Sequence, residues 1–148
     1  MIKINFPPPA FKIKTEHEKE LIFDEIRKQW VRLSPEEWVR QNFIQYLIRQ
    51  KSYPAALIAI EKELQLGELK KRFDILVYNS HHQPVMIIEC KRMEEALDEK
   101  TLDQALRYNM AIPVRYIIIT NGSYCFGFER QDKSPLQLTE IPDWVSIR

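Results

Sequence analysis

Several features are scarce or missing in this sequence, and each absence excludes a class of protein. The 148 residues include only 2 cysteines. Two cysteines cannot form the disulfide framework of a small secreted domain, so a reducing, cytoplasmic setting is expected. No apolar run approaches the roughly 20 residues that a membrane span needs, and prolines interrupt the apolar residues at the N-terminus. Neither a membrane partner nor a secretory signal is therefore expected.

An excess of charge of one sign is also missing. Lys and Arg total 22 against 21 Asp and Glu, for a formal net charge of +1. A protein that holds a long DNA duplex by itself usually has a clear basic excess. Any DNA contact is therefore expected to be confined to a small patch or shared with another subunit or domain. No Gly-Lys-Ser/Thr phosphate loop occurs either, so no ATP site and no ATP-driven translocation are expected of this chain.

What the sequence does have is the composition of a folded domain. The hydrophobic fraction is 45%, which fits a globular protein, and the charged fraction is 29%, which argues against disorder. The length predicts one domain over residues 1–148. Within it we expect an N-terminal extension (1–33), a core (34–128) and a C-terminal tail (129–148).

The hydrophobic pattern predicts the order of helices and strands. Ser34-Pro35-Glu36-Glu37 has the capping-box arrangement at the start of a helix. Asn121-Gly122 is a strong hairpin signal. The predicted elements are a helix over 35–50, strands over 57–66, 72–78 and 85–91, a helix over 95–110, and strands over 114–120 and 124–128. This order predicts an α/β fold with a mixed sheet flanked by helices.

Alternation within two of these strands predicts which side chains share a face. In strand 57–66, Ile60 and Leu64 are expected on one face and Glu61 on the other. The strand over 85–91 is continuously apolar and ends in Glu89-Cys90-Lys91. Glu89 and Lys91 are expected on one face, with Cys90 opposite. Charges at the end of a buried strand are costly unless they are paired or metal-bound, so a structural ion pair and a functional site both remain open.

Asp74 interrupts another apolar strand, where Asp is normally depleted. It is either a residue near the turn at Gly67 or, if the two strands are neighbours, a second carboxylate beside Glu89. Two adjacent carboxylates repel each other unless a cation lies between them, and Mg²⁺, with Mn²⁺ as a substitute, suits such a pair. Lys91 can then orient or deprotonate a water, or offset charge that develops on a phosphate.

Gln104 and Tyr108 lie four residues apart on the predicted helix after the Glu-x-Lys strand. Together with the preceding motifs they resemble the PD-(D/E)xK nuclease superfamily, and within it the nuclease domain at the N-terminus of type I restriction enzyme R subunits. The matching segments follow the family's order: SPEEWVRQ (34–41), RFDILV (72–77), IIECK (87–91), QALRYN (104–109) and TNG (120–122).

The resemblance implies a restriction-endonuclease-like core and a Mg²⁺-dependent endonuclease that hydrolyses DNA phosphodiester bonds in restriction-modification or repair. It implies that Asp74 and Glu89 bind the metal, that Lys91 is the catalytic lysine, and that Gln104 and Tyr108 support the site or contact DNA. DNA and other subunits of a restriction system would be the partners. A non-catalytic module that binds nucleic acid or protein and keeps the nuclease fold stays open as the alternative.

Three further residues are weaker candidates for the site. Glu37 is placed by the resemblance near the metal, although its capping-box position is the favoured interpretation. Glu61 can line the cleft, although a solvated edge is favoured. Arg92 lies at the expected mouth of the site, where it can contact phosphate. The basic run of Lys70, Lys71 and Arg72 can contact phosphates, although ordinary solvated side chains are favoured.

Overall fold

A computed structural model describes the backbone of all 148 residues and every side chain except those of Leu66 and Tyr108. The strands in chain order are β1 (Ile2–Lys3), β2 (Ile13–Glu16), β3 (Lys19–Asp24), β4 (Gln29–Arg32), β5 (Ile58–Leu66), β6 (Leu69–Tyr78), β7 (Pro84–Cys90), β8 (Tyr116–Thr120), β9 (Tyr124–Glu129) and β10 (Leu136–Gln137). The helices are α1 (Pro35–Gln50), α2 (Glu99–Met110) and α3 (Trp144–Ile147), with a 3₁₀ turn at Ala55–Leu57.

The larger of two sheets has seven strands, and its main path runs β1-β9-β8-β7-β6-β5 with β10 paired to β9. β5, β6 and β7 form an antiparallel meander, and β9 returns antiparallel to β8. β7 and β8 are parallel neighbours, which requires a crossover connection, and α2 lies in that connection. The predicted α/β fold, with a mixed sheet flanked by helices, is confirmed.

Helix α1 begins where the capping signal predicted. The Ser34 hydroxyl accepts a hydrogen bond from the Glu37 backbone N–H at 3.0 Å, and Pro35 lies in the first turn, where it removes no bond within the helix. The apolar side chains that α1 buries against the sheet include Val39, Phe43, Ile44 and Leu47. Burial of each such side chain stabilises the fold by about 1.5–3 kcal/mol, so packing contributes more than capping.

Two clusters of apolar side chains cover opposite faces of the large sheet. The first contains Phe43 of α1 and Ile88 of β7, and the second contains Ile87 of β7 and the partly buried Leu106 of α2. Adjacent residues of β7 therefore enter different cores, as expected for a central strand that is buried on both sides. None of the helices described here has the length and apolar character that a membrane crossing requires.

Helix α2 begins later than the sequence predicted, because residues 92–98 form a loop before it. The Asp98 carboxylate ends this loop by accepting a hydrogen bond from the Thr101 backbone N–H at 2.8 Å. Lys91 likewise follows the last residue of β7. Its backbone N–H still donates to the Thr120 carbonyl at 2.8 Å, so Lys91 continues the line of the strand.

The alternation predicted for β5 fails at one point. The pairing of β5 with β6 passes over Glu61 and Asp74, and Glu61 has a φ of 50°, in the left-handed region that non-glycine residues rarely adopt. Ile60 belongs to the cluster on the α1 side, whereas Leu64 packs against the cluster on the α2 side. The expectation that these two residues share a face is therefore wrong. Irregular pairing of this kind often lies near active sites.

The large sheet extends beyond the predicted core over residues 34–128. β1 from the N-terminal extension and β10 from the tail both pair with β9. The remaining strands of the extension form a separate three-stranded antiparallel sheet, β2-β3-β4, called the N-terminal sheet below. In the tail, the Trp144 ring packs against the Tyr53 ring with centroids 5.8 Å apart. Both ends of the chain therefore contact the core.

Candidate active site

The two predicted metal ligands lie side by side on neighbouring strands. β6 and β7 pair antiparallel with Ile75 opposite Ile88, and the next position in this register places Asp74 opposite Glu89. The two carboxyl groups lie close enough to share a hydrogen bond. The structure therefore brings together the two carboxylates that the sequence analysis paired on the condition that their strands are neighbours.

Each oxygen of the Asp74 carboxylate faces a different donor. The backbone N–H of Cys90 donates to Oδ2 at 2.8 Å, and the Arg40 Nη2 atom lies 3.7 Å from Oδ1. The first contact joins β6 to the end of β7 through a side chain. The second ties β6 to helix α1. The half-buried Asp74 is thereby held both by the neighbouring strand and by helix α1.

The close approach of the two carboxyl groups affects the pKa of Glu89. Burial, followed by the neighbouring Asp74 carboxylate, raises the pKa of Glu89 from 4.5 to about 7. Lys71 and Lys91 act in the opposite direction through their positive charges. Two acids this close cannot both ionise freely, so near neutral pH the metal-free pair retains a proton for part of the time.

A cleft of about 520 Å³ opens beside Glu89, between β6 and α2. Its lining residues are Lys70, Lys71, Arg72, Glu89, Lys91, Thr101, Gln104, Ala105 and Asn109. Glu89 and Lys91 thus border the same space, as alternation predicted, and Cys90 is buried in the opposite core. The structure therefore supports the shared face of the Glu-x-Lys residues.

Of the two α2 residues predicted for the site, the structure supports a place at the cleft for Gln104 only. Gln104 lines the cleft from its α2 wall. Tyr108 lies in α2 one turn further along, but its side chain is outside the part of the chain that the structure describes. The pairing of Gln104 with Tyr108 at the site therefore stays a prediction.

The burial of Lys71 was not expected. A solvated side chain was favoured for it, but only 6% of its surface is exposed, and its Nζ donates a hydrogen bond to the Asn109 Oδ1 of α2. Burial lowers the pKa of Lys71 from 10.5 to about 8, although Glu89 and Asp74 partly offset that effect. Lys71 is therefore a cation built into the wall of the cleft.

Glu37 serves two purposes in the structure. Its backbone N–H is capped by Ser34 as predicted, but its carboxylate does not complete a capping box. The carboxylate instead accepts from Gln41 Nε2 at 3.1 Å and lies 3.6 Å from Arg40 Nη1. Since Arg40 also contacts Asp74, Glu37 is connected to the carboxylate pair through one buried arginine.

The N-terminal sheet contributes a second arginine, Arg27, from the turn between β3 and β4. Arg27 Nη2 donates to Glu37 at 2.8 Å and Nη1 to Glu61 at 3.2 Å, while its Nε donates to the buried Asp24. Glu61 also lies 3.4 Å from Arg40 Nη1. Glu61 is therefore a member of this ion-pair network, and the solvated edge expected for it is only part of its environment.

Arg92, the third weaker candidate, pairs with an exposed neighbour in the loop after β7. Its side chain is exposed, its Nε donates to Glu94 Oε2 at 3.3 Å, and it is absent from the described lining of the cleft. An exposed ion pair of this kind contributes little to stability. A phosphate contact by Arg92 stays a prediction.

The oxygen ligands present fit a hard divalent cation. Asp74 and Glu89 supply two adjacent carboxylates, and no larger metal-holding group of His, Cys, Asp and Glu occurs among the described residues. Mg²⁺ commonly binds through one or two carboxylates and keeps several waters. The position of Asp74 opposite Glu89 marks where a cation would relieve the repulsion between the two carboxylates.

Two residues of the surroundings, Arg27 and Arg40, escaped prediction, and the burial of Lys71 was not foreseen. One local signal was available for Lys71, because it alternates with the buried Phe73, and its Nζ lies 5.0 Å from that ring. Arg40 follows the buried Val39 in the first turns of α1, a position that fits either a buried or an exposed side chain. Arg27 had no such signal, since its contacts depend on how a separate sheet packs.

Comparisons with known proteins identify the family of this chain. The family model described as the N terminus of the type I restriction enzyme R protein matches residues 35–143. No curated protein matches the chain. A solved structure of the type IIG restriction endonuclease BpuSI is similar at 16% identity and a TM-score of 0.43, over 73% of this chain and 14% of that one. The family match covers most of the 148 residues. This chain therefore belongs to the family of type I restriction enzyme R protein N-terminal regions.

Proposed function

We propose that this chain is a Mg²⁺-dependent endonuclease domain that hydrolyses DNA phosphodiester bonds within a restriction system. The single observation that carries the proposal is that Asp74 lies beside Glu89, which lines one cleft together with Lys91. Family membership supports the restriction setting. DNA as substrate and other restriction subunits as partners are parts of the same proposal.

Each member of the trio has a distinct role in this proposal. Asp74 and Glu89 would hold Mg²⁺, with Mn²⁺ as a substitute, and the Cys90 N–H keeps Asp74 oriented at 2.8 Å. Bound there, the cation would supply Lewis-acid charge to a phosphate and favour ionisation of a water. The Lys91 ammonium lies close enough to Glu89 to affect its pKa, so it can offset negative charge that develops on the phosphate or orient the attacking water.

Gln104 would position the substrate rather than react with it. Its amide has donors and an acceptor but does not act as an acid or a base near neutral pH. It lines the cleft from α2, opposite the strand that carries Glu89. Tyr108 is retained in this role on the strength of the family resemblance.

Cleavage of plasmid DNA with Mg²⁺ or Mn²⁺ tests the proposal. We expect the wild type to cleave, and Lys91→Met to lower the cleavage rate by at least about 100-fold, the range for loss of a group that transfers a proton or stabilises charge. Lys133→Met, at an exposed lysine outside the cleft, is the matched control and should cleave like the wild type. Equal cleavage by Lys91→Met and the control would contradict the assignment.

The alternative function is a non-catalytic module that binds nucleic acid or protein. The net charge of +1 is compatible with it, because a small domain that cuts unaided would be expected to attract DNA more strongly. Calorimetry with Mn²⁺ separates the two functions. A Mn²⁺ site that disappears in Asp74→Asn supports the nuclease, whereas DNA binding without a metal site or cleavage supports the binding module.

A further inference from the structure

The cleft beside the carboxylate pair is much more basic than the chain as a whole. Lys70, Lys71, Arg72 and Lys91 line it, and Glu89 is the acidic residue among its described lining residues. The whole chain, in contrast, has a formal net charge of +1. A cleft that concentrates charge of one sign attracts ligands of the opposite sign, here anions.

Lys71 is the cation at the base of this cleft. It is 6% exposed, whereas Lys70 and Arg72 on either side of it in β6 are exposed. Burying an ammonium group costs free energy that an apolar side chain of similar size would not cost. A buried cation that faces a cleft is thus better explained by ligand binding than by stability.

Asn109 of α2 fixes the position of that ammonium group. The Asn109 side chain is 1% exposed, and its Nδ2 donates to the Ala105 carbonyl at 2.8 Å. This bond orients the amide so that its oxygen accepts from Lys71 Nζ across the cleft wall. The ammonium group is therefore held in place between β6 and α2 before any ligand arrives, which reduces the entropy lost on binding.

The charges around Lys71 favour its protonated form. Burial lowers its pKa from 10.5 to about 8, and Glu89 and Asp74 partly offset that effect. A compact ammonium group in such a place is suited to an anion with several equivalent oxygens, and phosphate is the usual biological example. Thr101 and Gln104 add polar groups along the α2 side of the same cleft.

We propose that the cleft between β6 and α2 is a groove for the phosphates of a nucleic-acid backbone, with Lys71 as the cation at its base and Asn109 as the residue that positions it. Lys70 and Arg72 form the mouth of the groove. The proposal rests on the proposed function in one respect, namely that the ligand is the backbone of DNA. It assigns to Lys71 a binding role separate from the trio of Asp74, Glu89 and Lys91.

Binding of a short fluorescein-labelled DNA duplex in EDTA, followed by anisotropy over a series of salt concentrations, tests the groove without cleavage. We expect Lys71→Met to weaken binding by about tenfold or more and to reduce the slope of log affinity against log salt by about 1, as for loss of one phosphate contact. Lys133→Met is the control and should change the affinity less than about twofold, as expected for an exposed lysine with no phosphate contact.

Thermal unfolding of the same variants, measured beside their DNA affinity, distinguishes a ligand-binding lysine from a purely structural one. Methionine keeps the length of the buried stem, but it leaves the Asn109 oxygen without its donor, so Lys71→Met should unfold at a lower temperature than the wild type and should also bind DNA more weakly. Lys71→Arg keeps the charge and should recover part of the DNA affinity. Unfolding at lower temperature together with unchanged DNA binding would show that Lys71 is structural and would overturn the groove.

A double variant tests the groove independently if Lys71→Met does not fold. Lys70→Gln with Arg72→Gln changes only exposed side chains and should reduce the salt slope by about 2. Wild-type affinity in this double variant would overturn the groove.

The groove proposal and the nuclease proposal can fail separately. If DNA binding depends on Lys71 but the protein never cleaves DNA, the groove stands and the nuclease proposal is refuted. If the protein cleaves DNA but its DNA binding does not depend on Lys71, the nuclease proposal stands and the groove is refuted.

Discussion

Glu89 lies in an environment that disfavours its charged form. Burial and the Asp74 carboxylate raise its pKa to about 7, so ionisation of Glu89 above that pH lowers the stability of the metal-free protein. The same crowding is what a divalent cation would relieve. The arrangement that lowers stability without metal is therefore the one that favours metal binding.

This cost predicts how the stability of the metal-free protein depends on pH. Between about pH 4.5 and 7 the folded protein keeps a proton on Glu89 that the unfolded chain has lost, so the free energy of unfolding falls as pH rises. We expect Glu89→Gln to exceed the wild type by about 1–3 kcal/mol at pH 8 in EDTA, and by much less at pH 4.5.

Urea unfolding at both pH values, with EDTA present, measures the difference between Glu89→Gln and the wild type. Glu20→Gln is the control, because Glu20 is exposed on β3, and its change should stay within about 0.5 kcal/mol. A gain for Glu89→Gln that is as large at pH 4.5 as at pH 8 would show that ionisation of Glu89 is not its cause.

The positions of the site residues could be predicted from the sequence to different degrees. Glu89 and Lys91 were predictable because strand alternation alone places them on one face. Asp74 needed a register between two strands, which the motifs suggested and the structure supplies. The burial of Lys71 was not foreseen because it depends on α2 packing over β6, whereas alternation with Phe73 indicates only the face that the two side chains share.

At the scale of whole elements, the N-terminal sheet is attached to the core through Arg27. Its guanidinium group contacts Asp24 of its own sheet, Glu37 of α1 and Glu61 of β5. The family model matches only from residue 35, so this sheet lies outside the matched region. Arg27 nevertheless reaches carboxylates that are one arginine, Arg40, away from Asp74.

Arg27→Ala tests how strongly this sheet is attached. The change leaves the fully buried Asp24 without its arginine, and breaking a pair of this kind typically costs several kcal/mol. Since Arg27 is itself partly exposed, we expect a loss of about 2–4 kcal/mol in urea unfolding. Lys28→Gln, next to it and exposed, should change stability by less than about 0.5 kcal/mol.

Limited proteolysis identifies where that stability is lost. If Arg27 attaches the sheet, Arg27→Ala should be cut within residues 1–33 sooner than Lys28→Gln, because local opening exposes backbone. Equal cleavage patterns in the two variants, with equal stabilities, would contradict the role of Arg27.

Elements were predicted better than the contacts between them. Helix α1 and the strands of the meander followed from capping and apolar periodicity, with ends shifted by a few residues. The break at Glu61 did not follow from the sequence. Its φ of 50° is usually signalled by a glycine, and β5 has no glycine at that position. The N-terminal sheet was also missed, because its edge strand β2 is exposed throughout and carries no buried face for a pattern to show.

For the whole molecule, metal binding and folding should be linked. A ligand that binds only the folded state stabilises it by about 2.7 kcal/mol at 100 times its Kd. For a domain of this length that corresponds to a rise of about 5–10 °C in Tm. We therefore expect saturating Mn²⁺ to raise the Tm of the wild type, and EDTA to reverse the rise.

The same scan on two variants shows whether the carboxylate pair is the metal site. Asp74→Asn should lose the Mn²⁺-dependent rise in Tm, and Asp132→Asn, an exposed aspartate outside the cleft, should keep it. A rise of equal size in both variants would place the cation elsewhere on the molecule.

Sequence separation within the candidate site suggests an order in which its parts assemble during folding. The hydrogen bond from Cys90 to Asp74 spans 16 residues, across the turn between β6 and β7, whereas the bond from Lys71 to Asn109 spans 38. Contacts between near neighbours cost less loop-closure entropy and tend to form earlier. The carboxylate pair can thus exist in a hairpin before α2 completes the cleft, so a divalent cation could accelerate refolding while DNA, which needs the finished groove, could not.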